Sequence, residues 1–474
     1  MLTIGVPGGV IAGTDLGLQN LASNLSTEGL TQLGVDGHAV PKLARSWTWE
    51  NDGKRLRILL RTGVTFHDGT PLTSALAAKL VTAAVNRPSN LRLFTSLSDI
   101  TDVRPDGDEA IVLDLKQQSA FLPEDLELPL TLGPDNGTGP YRVVQRQPTD
   151  IVLQGYNRYY GGAPRIDKID VKSSGAMRTA WASLLRGELD LVTEVPPDAV
   201  EFVQNEQVEV ISYSRRYQYL VAFNSKRAPF DKPIVRRALN YAIDRQRLLD
   251  NILQGRGIAS TGPLWPKHWA YDHTITPYAY DSTLARSLLE TAGLRIEKHA
   301  GRPDSRLRFT CMIPANSSVL ERIGLEVQKQ LYVIGVDMQF EVVSPEEFNT
   351  RVQDGRFEAL LIEMISGSSI GRAYNFWGSA KNVKGLNVFG YENPEAERLF
   401  TVLRTSYNEA AERSATSNLQ RVLLEDPPAI FLAWNERSRA VRRDFGVVPE
   451  PDRDPLTTIW RWSPAGTVNT TATK

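Results

Sequence analysis

Gly367-Ser368-Ser369-Ile370-Gly371 has the spacing Gly-x-Ser-x-Gly and follows an apolar run. In hydrolases that spacing lifts a serine hydroxyl onto a sharp strand-to-helix turn. The chain order of such enzymes then needs a histidine after the serine. The five histidines are His38, His67, His268, His273 and His299, so none follows it. Arg372 to Trp377 also lacks the periodicity of the helix that an elbow requires. A serine hydrolase using the Gly367–Gly371 loop is therefore a remote alternative. His268 and His273 flank Asp272, a trio that in principle suits zinc or nickel. With Trp269 and Tyr271 between them, an aromatic surface loop is the plainer reading. His67 reads as structural. Cys311 is the single cysteine, which excludes an internal disulfide and a multi-thiolate metal cluster. No His-Glu-x-x-His, phosphate loop or dinucleotide fingerprint occurs. The sequence thus calls for no catalytic residue, no metal and no cofactor.

Composition points the same way. The chain has 474 residues, 54 basic and 55 acidic, for a formal net charge of −1. That balance leaves no electrostatic footprint for nucleic acid. The densest basic stretches, Arg215-Arg216 and Arg437 to Arg443, read as solvated surface. No apolar run approaches the ~20 residues of a membrane span. Met1 leads straight into the strand-like Leu2 to Val6 with no leader ahead of it. A mature exported chain and a cytoplasmic chain both fit that start. A monomer is expected.

The elements that must position a site are clearest in the second half. Leu307 to Ile313 alternates as a strand does. Ser318 with Glu321 reads as a capping box for a helix through Ile323, Val327, Leu331 and Ile334, ended by Gly335. Val336 to Val343 is the next strand. Ser344-Pro345-Glu346-Glu347 starts a short helix closed by Gly355, and Phe357 to Ile365 is a third strand. This alternation predicts a parallel α/β layer. Upstream, Asp231, Asp244 and Asp281 are expected to cap three helices. In the first half, Leu56 to Leu60, Ala110 to Leu115, Val143 to Val152 and Ile166 to Lys172 read as strands, and Met177 to Arg186 as a helix. Ala429 to Trp434 is a late strand after Pro427-Pro428, and the tail from Thr467 is polar and small.

An ordered set of blocks carries a resemblance. Leu43-Ala44-Arg45-Ser46-Trp47 and Leu60-Arg61-Thr62-Gly63-Val64-Thr65-Phe66-His67-Asp68-Gly69-Thr70-Pro71-Leu72 come first. Gly137-Thr138-Gly139-Pro140-Tyr141, Gly187-Glu188-Leu189-Asp190, Phe223-Asn224, and Val235-Arg236-Arg237-Ala238-Leu239 follow. Together with Leu288-Leu289-Glu290-Thr291-Ala292-Gly293 they span roughly residues 20 to 435. The set resembles extracellular solute-binding protein family 5, the peptide- and nickel-type receptors of ABC importers. The resemblance implies an α/β, two-lobed periplasmic-binding-protein-like fold (type II, cluster C-like). The stretch between Pro71 and Gly137 is short for the family, so the accessory subdomain looks trimmed. Residues 1–225 plus 430–474 are expected to form lobe I, with the accessory subdomain at about 35–140. Lobe II would be 226–429, and the hinge crossings would lie near 224–233 and 427–436.

The resemblance also implies the function: an extracytoplasmic receptor, periplasmic or anchored outside the cytoplasmic membrane. It would capture a small polar solute between its lobes and deliver it to an ABC permease. A cytoplasmic regulator's sensing domain is the alternative, and would need a DNA-binding region upstream. Peptide-binding members carry a Trp-x-Gly-Asp type motif whose Asp holds the peptide α-amine. Here the matching stretch, Glu363 to Trp377, has no Asp and brings in Arg372. An oligopeptide is therefore disfavoured against a sugar-like, amide or anionic ligand. Ligands of open α/β sheets sit beyond the carboxyl ends of strands. That rule selects Pro7 to Thr14, Pro314 to Ser318 and Ser366 to Trp377. The expected ligand-binding residues are Tyr217, Tyr219, Asn316, Arg372, Tyr374, Asn375, Phe376 and Trp377, with Trp265 and Trp434 as second choices.

Overall fold

Residues 1–8, 16–315, 317–383 and 386–465 are described in this computed structural model. The main strands in chain order are β1 (Leu2–Val6), β2 (Ala44–Glu50), β3 (Arg55–Leu60), β4 (Ile100–Asp106), β5 (Ala110–Leu115), β6 (Tyr141–Arg146) and β7 (Asp150–Gly155). They continue as β8 (Lys168–Ser173), β9 (Leu191–Val195), β10 (Val208–Phe223), β11 (Leu307–Pro314), β12 (Val336–Val343), β13 (Ala359–Ile365) and β14 (Ala429–Arg442). The main helices are α1 (Leu16–Ser26), α2 (Ser74–Val85), α3 (Met177–Leu185), α4 (Val200–Val203), α5 (Pro233–Tyr241) and α6 (Arg245–Ile252). After them come α7 (Ser282–Thr291), α8 (Ser318–Val333), α9 (Pro345–Gln353), α10 (Ile370–Trp377), α11 (Pro394–Thr405) and α12 (Glu409–Glu425).

One hydrogen-bonded sheet runs through both lobes in the order β12-β11-β13-β10-β14-β9-β1-β8-β7-β6. β11 pairs in parallel with β12 and β13, as the strand–helix alternation predicts. β1 pairs in parallel with β8 and β9. Leu2, Ile4 and Val6 are buried under α1, while Val192 and Val195 on β9 pack under α3 and α4. In the second lobe one sheet face is covered by α5 to α8 and the other by α10 to α12. β13 and the start of β14, covered on both faces, are near-continuous apolar runs, while β7 and β8 bury only alternate residues.

Two long strands join the lobes. β10 and β14 are antiparallel along most of their lengths, and their register breaks between Ser214 and Gln218. Before the break β14 also pairs with β9 of the first lobe. After it β10 pairs with β13 of the second lobe from Tyr217 to Phe223. The first crossing therefore lies inside β10, upstream of the expected 224–233. The second lies at 434–436.

The accessory subdomain is the four-stranded sheet β2-β3-β5-β4 with α2 packed on it around Leu56, Ile58, Val81 and Leu113. It also packs on the second lobe. Arg404 pairs with the buried Asp99, and Thr95 Oγ1 donates to Asn375 Oδ1 at 2.5 Å.

Most caps lie where sequence places them. Asp244 and Asp281 accept from Arg247 and Leu284 backbone N–H groups, and Ser344 from Glu347. Gly335 takes φ +79 after α8, a backbone that glycine alone adopts freely. Three expectations are corrected. α8 is capped by Ser317, whose hydroxyl accepts from Leu320 N–H, rather than by Ser318. Asp231 caps no helix among the described residues; α5 starts at Pro233, whose fixed φ suits a first helical position. Val143 to Val152 is a hairpin of β6 and β7 rather than one strand, turned at Pro148. Among the described residues no helix is long and apolar enough to cross a membrane.

Candidate functional site

The site forms where the β10–β14 ladder breaks. Regular pairing stops between Ser214 and Gln218, so Arg215, Arg216 and Tyr217 turn their side chains into the space between the lobes. The register places Glu363 of β13 beside Tyr219, and Arg437 of β14 beside Tyr213. Arg215, Glu363, Arg437 and Glu194 of β9, four charged residues from four strands, meet there.

Arg437 is the centre of that meeting. Its Nη2 donates to both Glu363 carboxylate oxygens, at 2.9 and 3.0 Å, and its Nη1 pairs with Glu194 of β9. It therefore ties a first-lobe carboxylate to a second-lobe one. Glu363 also accepts from Arg215 Nη1 at 3.2 Å and Asn435 Nδ2 at 2.6 Å. Burial pushes the Glu363 carboxyl above its ordinary range, opposed by Arg215 and Asn435. Burial, reinforced by the nearby Arg439 charge, lowers Arg437 to about 10, still charged at neutral pH. Arg215 lies 3.7 Å over the Tyr217 ring. Arg439 is held by Asp454 at 2.6 and 2.5 Å and donates to Thr193 O at 2.8 Å. Arg216 donates to the Leu33 and Gly34 carbonyls at 3.3 and 3.2 Å and has no carboxylate within ion-pair distance among the described residues.

Two cavities flank this network, sharing Glu194 and Arg437. The first, about 600 Å³, lies between α3 and α4 of the first lobe and Tyr219, Glu363 and the start of α8 in the second. Trp181, Phe202 and Val319 give it an apolar wall, and Arg322 reaches across to Asp198 at 3.3 Å. The second, about 650 Å³, is lined by six arginines (215, 216, 372, 437, 439 and 453) against Glu127, Glu194, Asp452 and Asp454.

Among the expected site residues, Tyr217 and Arg372 line the second cavity and Tyr219 the first. Pro7 lines the second as well, while the rest of its loop from residue 9 lies outside the described residues, as does Asn316. Ser317 and Ser318 line the first cavity. The other expectations are corrected. Ser366 to Trp377 is not an open loop: Ser369 caps α10, accepting from Arg372 N–H. Tyr374 packs between Phe121 and Phe400, and its hydroxyl donates to Glu397 at 3.1 Å. Asn375 binds Thr95 and the Leu93 carbonyl, Trp377 stacks on Phe389, and Phe376 packs against the same core. Trp265 and Trp434 meet edge to face at 4.8 Å, both buried. These aromatic rings hold α10 and its neighbours in the core rather than lining the cleft. α10 lies between the second lobe and the accessory subdomain; its apolar stripe, Ile370, Ala373, Tyr374 and Trp377 at i, i+3, i+4 and i+7, begins ahead of Arg372, so the stretch from Arg372 alone shows no period.

The residues of the remaining readings are placed as follows. Ser369 Oγ donates to Glu124, so it is engaged in the α10 cap. His268 is buried, accepts from Ala270 N–H at 3.1 Å, and is lowered by burial to about 4. Asp272 serves a turn through Thr274 and the Ser417 hydroxyl. Arg215, Arg216, Arg437 and Arg439 are cleft residues rather than the solvated surface their sequence suggests. Trp181, Phe202, Glu194, Arg322 and Arg437 line the first cavity without having been expected there. Glu194 carried a weak signal, a charge inside the apolar strand Leu191–Val195.

Residues 38–384 match the bacterial extracellular solute-binding proteins, family 5 Middle. The chain belongs to this family. It is 30% identical over 332 residues to the glutathione-binding protein GsiB of Salmonella typhimurium strain LT2, covering 65% of this chain and 62% of GsiB. The oligopeptide-binding protein AppA of Bacillus subtilis strain 168 is 24% identical over 452 residues, covering 89% of this chain and 82% of AppA. Among solved structures, NikZ of Campylobacter jejuni in complex with Ni(L-His) superposes with a TM-score of 0.81 at 21% identity, over 98% of this chain and 99% of NikZ. The two-lobed α/β fold expected from the sequence is the fold of this family 5 chain.

Proposed function

We propose that this family 5 protein is the solute receptor of an ABC importer, acting outside the cytoplasm, and that its solute is a small acid held between the lobes. The observation that carries the ligand class is the state of the cleft carboxylates. Glu363 and Glu194 are both bound to Arg437, Asp198 to Arg322, and Asp454 to Arg439. A ligand ammonium would have to displace an arginine to reach any of them. Arg437–Glu363 and Arg439–Asp454, the more buried of these pairs, resist that exchange, since removing one partner leaves the other charge unpaired. An acid has the opposite prospect. Among the described residues six arginines line the second cavity against four carboxylates, and Arg216 is bound to carbonyl oxygens alone. Arg forks suit carboxylate and phosphate oxygens.

GsiB is named for glutathione and AppA for oligopeptides, so acid-bearing solutes occur among the relatives. Capture without chemistry fits the site: the cleft holds paired charges and no nucleophile–base pair among the described residues. Delivery to a permease follows from the family. Isothermal titration against monocarboxylates, dicarboxylates, phosphate esters, neutral sugars and cationic peptide amides checks the reading. Acids are expected to bind and cationic amides not. Binding by the amides alone would sink the anionic reading.

A further inference from the structure

The ion pairs around the second cavity show where its excess positive charge sits. Arg437 meets Glu194, Arg439 meets Asp454, and Arg372 lies 3.7 Å from Glu127. Arg215 is answered by Glu363, and Asp452 by Lys267, partners that stand outside the lining. Two of the six lining arginines are left over. Arg216 has no carboxylate within ion-pair distance among the described residues. Arg453 shares one carboxylate, Glu450, with Arg461.

These two arginines stand together. Arg216 Nη2 at 3.3 Å and Arg453 Nη2 at 3.0 Å both donate to the Leu33 carbonyl oxygen. Like charges so placed repel each other. Burial lowers the Arg216 guanidinium below the ordinary arginine value, and Arg453 adds to the effect; Glu127 and Asp36 oppose it from beyond ion-pair distance. Donors also remain open at this point. Arg216 Nε and Nη1, and Arg453 Nε, have no hydrogen-bond partner among the described residues, and none of the three is fully enclosed by protein. Guanidinium groups with free N–H bonds beside a cavity suit an oxyanion, whose oxygens accept from several of them at once.

We propose that Arg216 and Arg453 form the anion subsite of the cleft, and that it selects an acid with two negative charges close together, as in a phosphate monoester or a short dicarboxylate. This rests on the proposed capture of an acid. One negative charge leaves one guanidinium of the pair uncompensated, whereas two cancel the excess and relieve the repulsion. Space is ample, since cavities of roughly 300–1,000 Å³ hold small-molecule ligands, and this one measures about 650 Å³.

Calorimetric titration of the full chain with matched pairs tests it, at fixed ionic strength and about pH 8, where a phosphate monoester carries close to two charges. One pair is succinate against monomethyl succinate. The other is methyl phosphate against methyl sulfate, which has the same shape and one charge fewer. In at least one pair the doubly charged member should bind about tenfold tighter or more. Which pair shows the preference assigns the source, carboxylate or phosphate. Arg216→Gln should bring that ratio close to one, and Arg216→Lys, which keeps the charge, should retain most of it. A purely structural role for Arg216 at the Leu33 and Gly34 carbonyls would instead weaken both members alike and leave the ratio unchanged. Arg453→Gln, which leaves those Arg216 contacts in place, should lower the same ratio, so the test does not hang on one variant. Equal affinity within both pairs, or a ratio unchanged in both glutamine variants, would overturn the divalent subsite while leaving acid capture standing. If no acid of any kind binds, both readings fall.

Discussion

Arg437 decides more than any other single side chain, because it holds Glu194 of one lobe and Glu363 of the other at once. Arg437→Met removes the bridge and leaves Glu194 unpaired, while Glu363 keeps Arg215 and Asn435. Both terminal nitrogens of Arg437 serve these carboxylates, so its loss should weaken acid binding through the uncompensated charge of Glu194, by roughly tenfold, which corresponds to about 1.4 kcal/mol. Titration measures the loss, and Arg437→Lys should recover only part of it, since lysine cannot form the two-pronged bridge. A second residue-scale consequence concerns pH. Burial pushes Glu124 up to about 8, opposed by the Ser369 hydroxyl and reinforced by Asp125 and Glu127. Burial also lifts Asp125 to about 6, against the pull of Arg372. A carboxyl raised above its unfolded value stabilises the fold in its protonated form. That contribution is full below the unfolded value of 4.5 and is lost as pH rises through about 8. Thermal unfolding should therefore show stability falling from about pH 5 to about pH 8 at this interface, with a flatter slope in Glu124→Gln. An unchanged slope in that variant would count against Glu124 as the source.

At the scale of elements, sequence was legible where the signal is local. Asp244, Asp281 and Ser344 each cap the helix expected of them, because the side chain and the amide it satisfies are three residues apart. Asp281→Ala should accordingly cost about 1 kcal/mol, read as a shift in the denaturation midpoint. Legibility failed where the deciding partner is distant. Tyr374, Asn375 and Trp377 looked like a loop ready for ligand, yet they stand on α10 packed against Phe400, Thr95 and Phe389, partners that no local spacing shows. The arginines failed in the opposite direction. Charges in a strand normally face solvent, yet Arg215 and Arg437 meet Glu363 only because three strands far apart in sequence are neighbours in the sheet. Trp181 and Phe202 carried no marker, since a single aromatic residue on a short helix is most often core. Family blocks were the exception: they recur in order along the chain and so fixed the scaffold, while saying little about the cleft.

The whole molecule is two sheet-and-helix lobes joined by β10 and β14, with paired charges where the ladder breaks. Two crossings at a register break form the kind of joint about which lobes close on a ligand. Side chains already reach across: Asp198 to Arg322 at 3.3 Å, and Asp452 to Lys267 at 2.6 Å. All four are more than a third exposed, so each pair contributes little and is weakened by salt. Closure must then draw on the ligand itself. The most direct test of capture between the lobes is small-angle scattering of the full chain, titrated with the acid that binds best by calorimetry. The account predicts a radius of gyration that falls in step with occupancy, and a fall that disappears in Arg437→Met at the same acid concentration. An acid that binds at full stoichiometry while the radius of gyration stays constant, in both proteins alike, would contradict it.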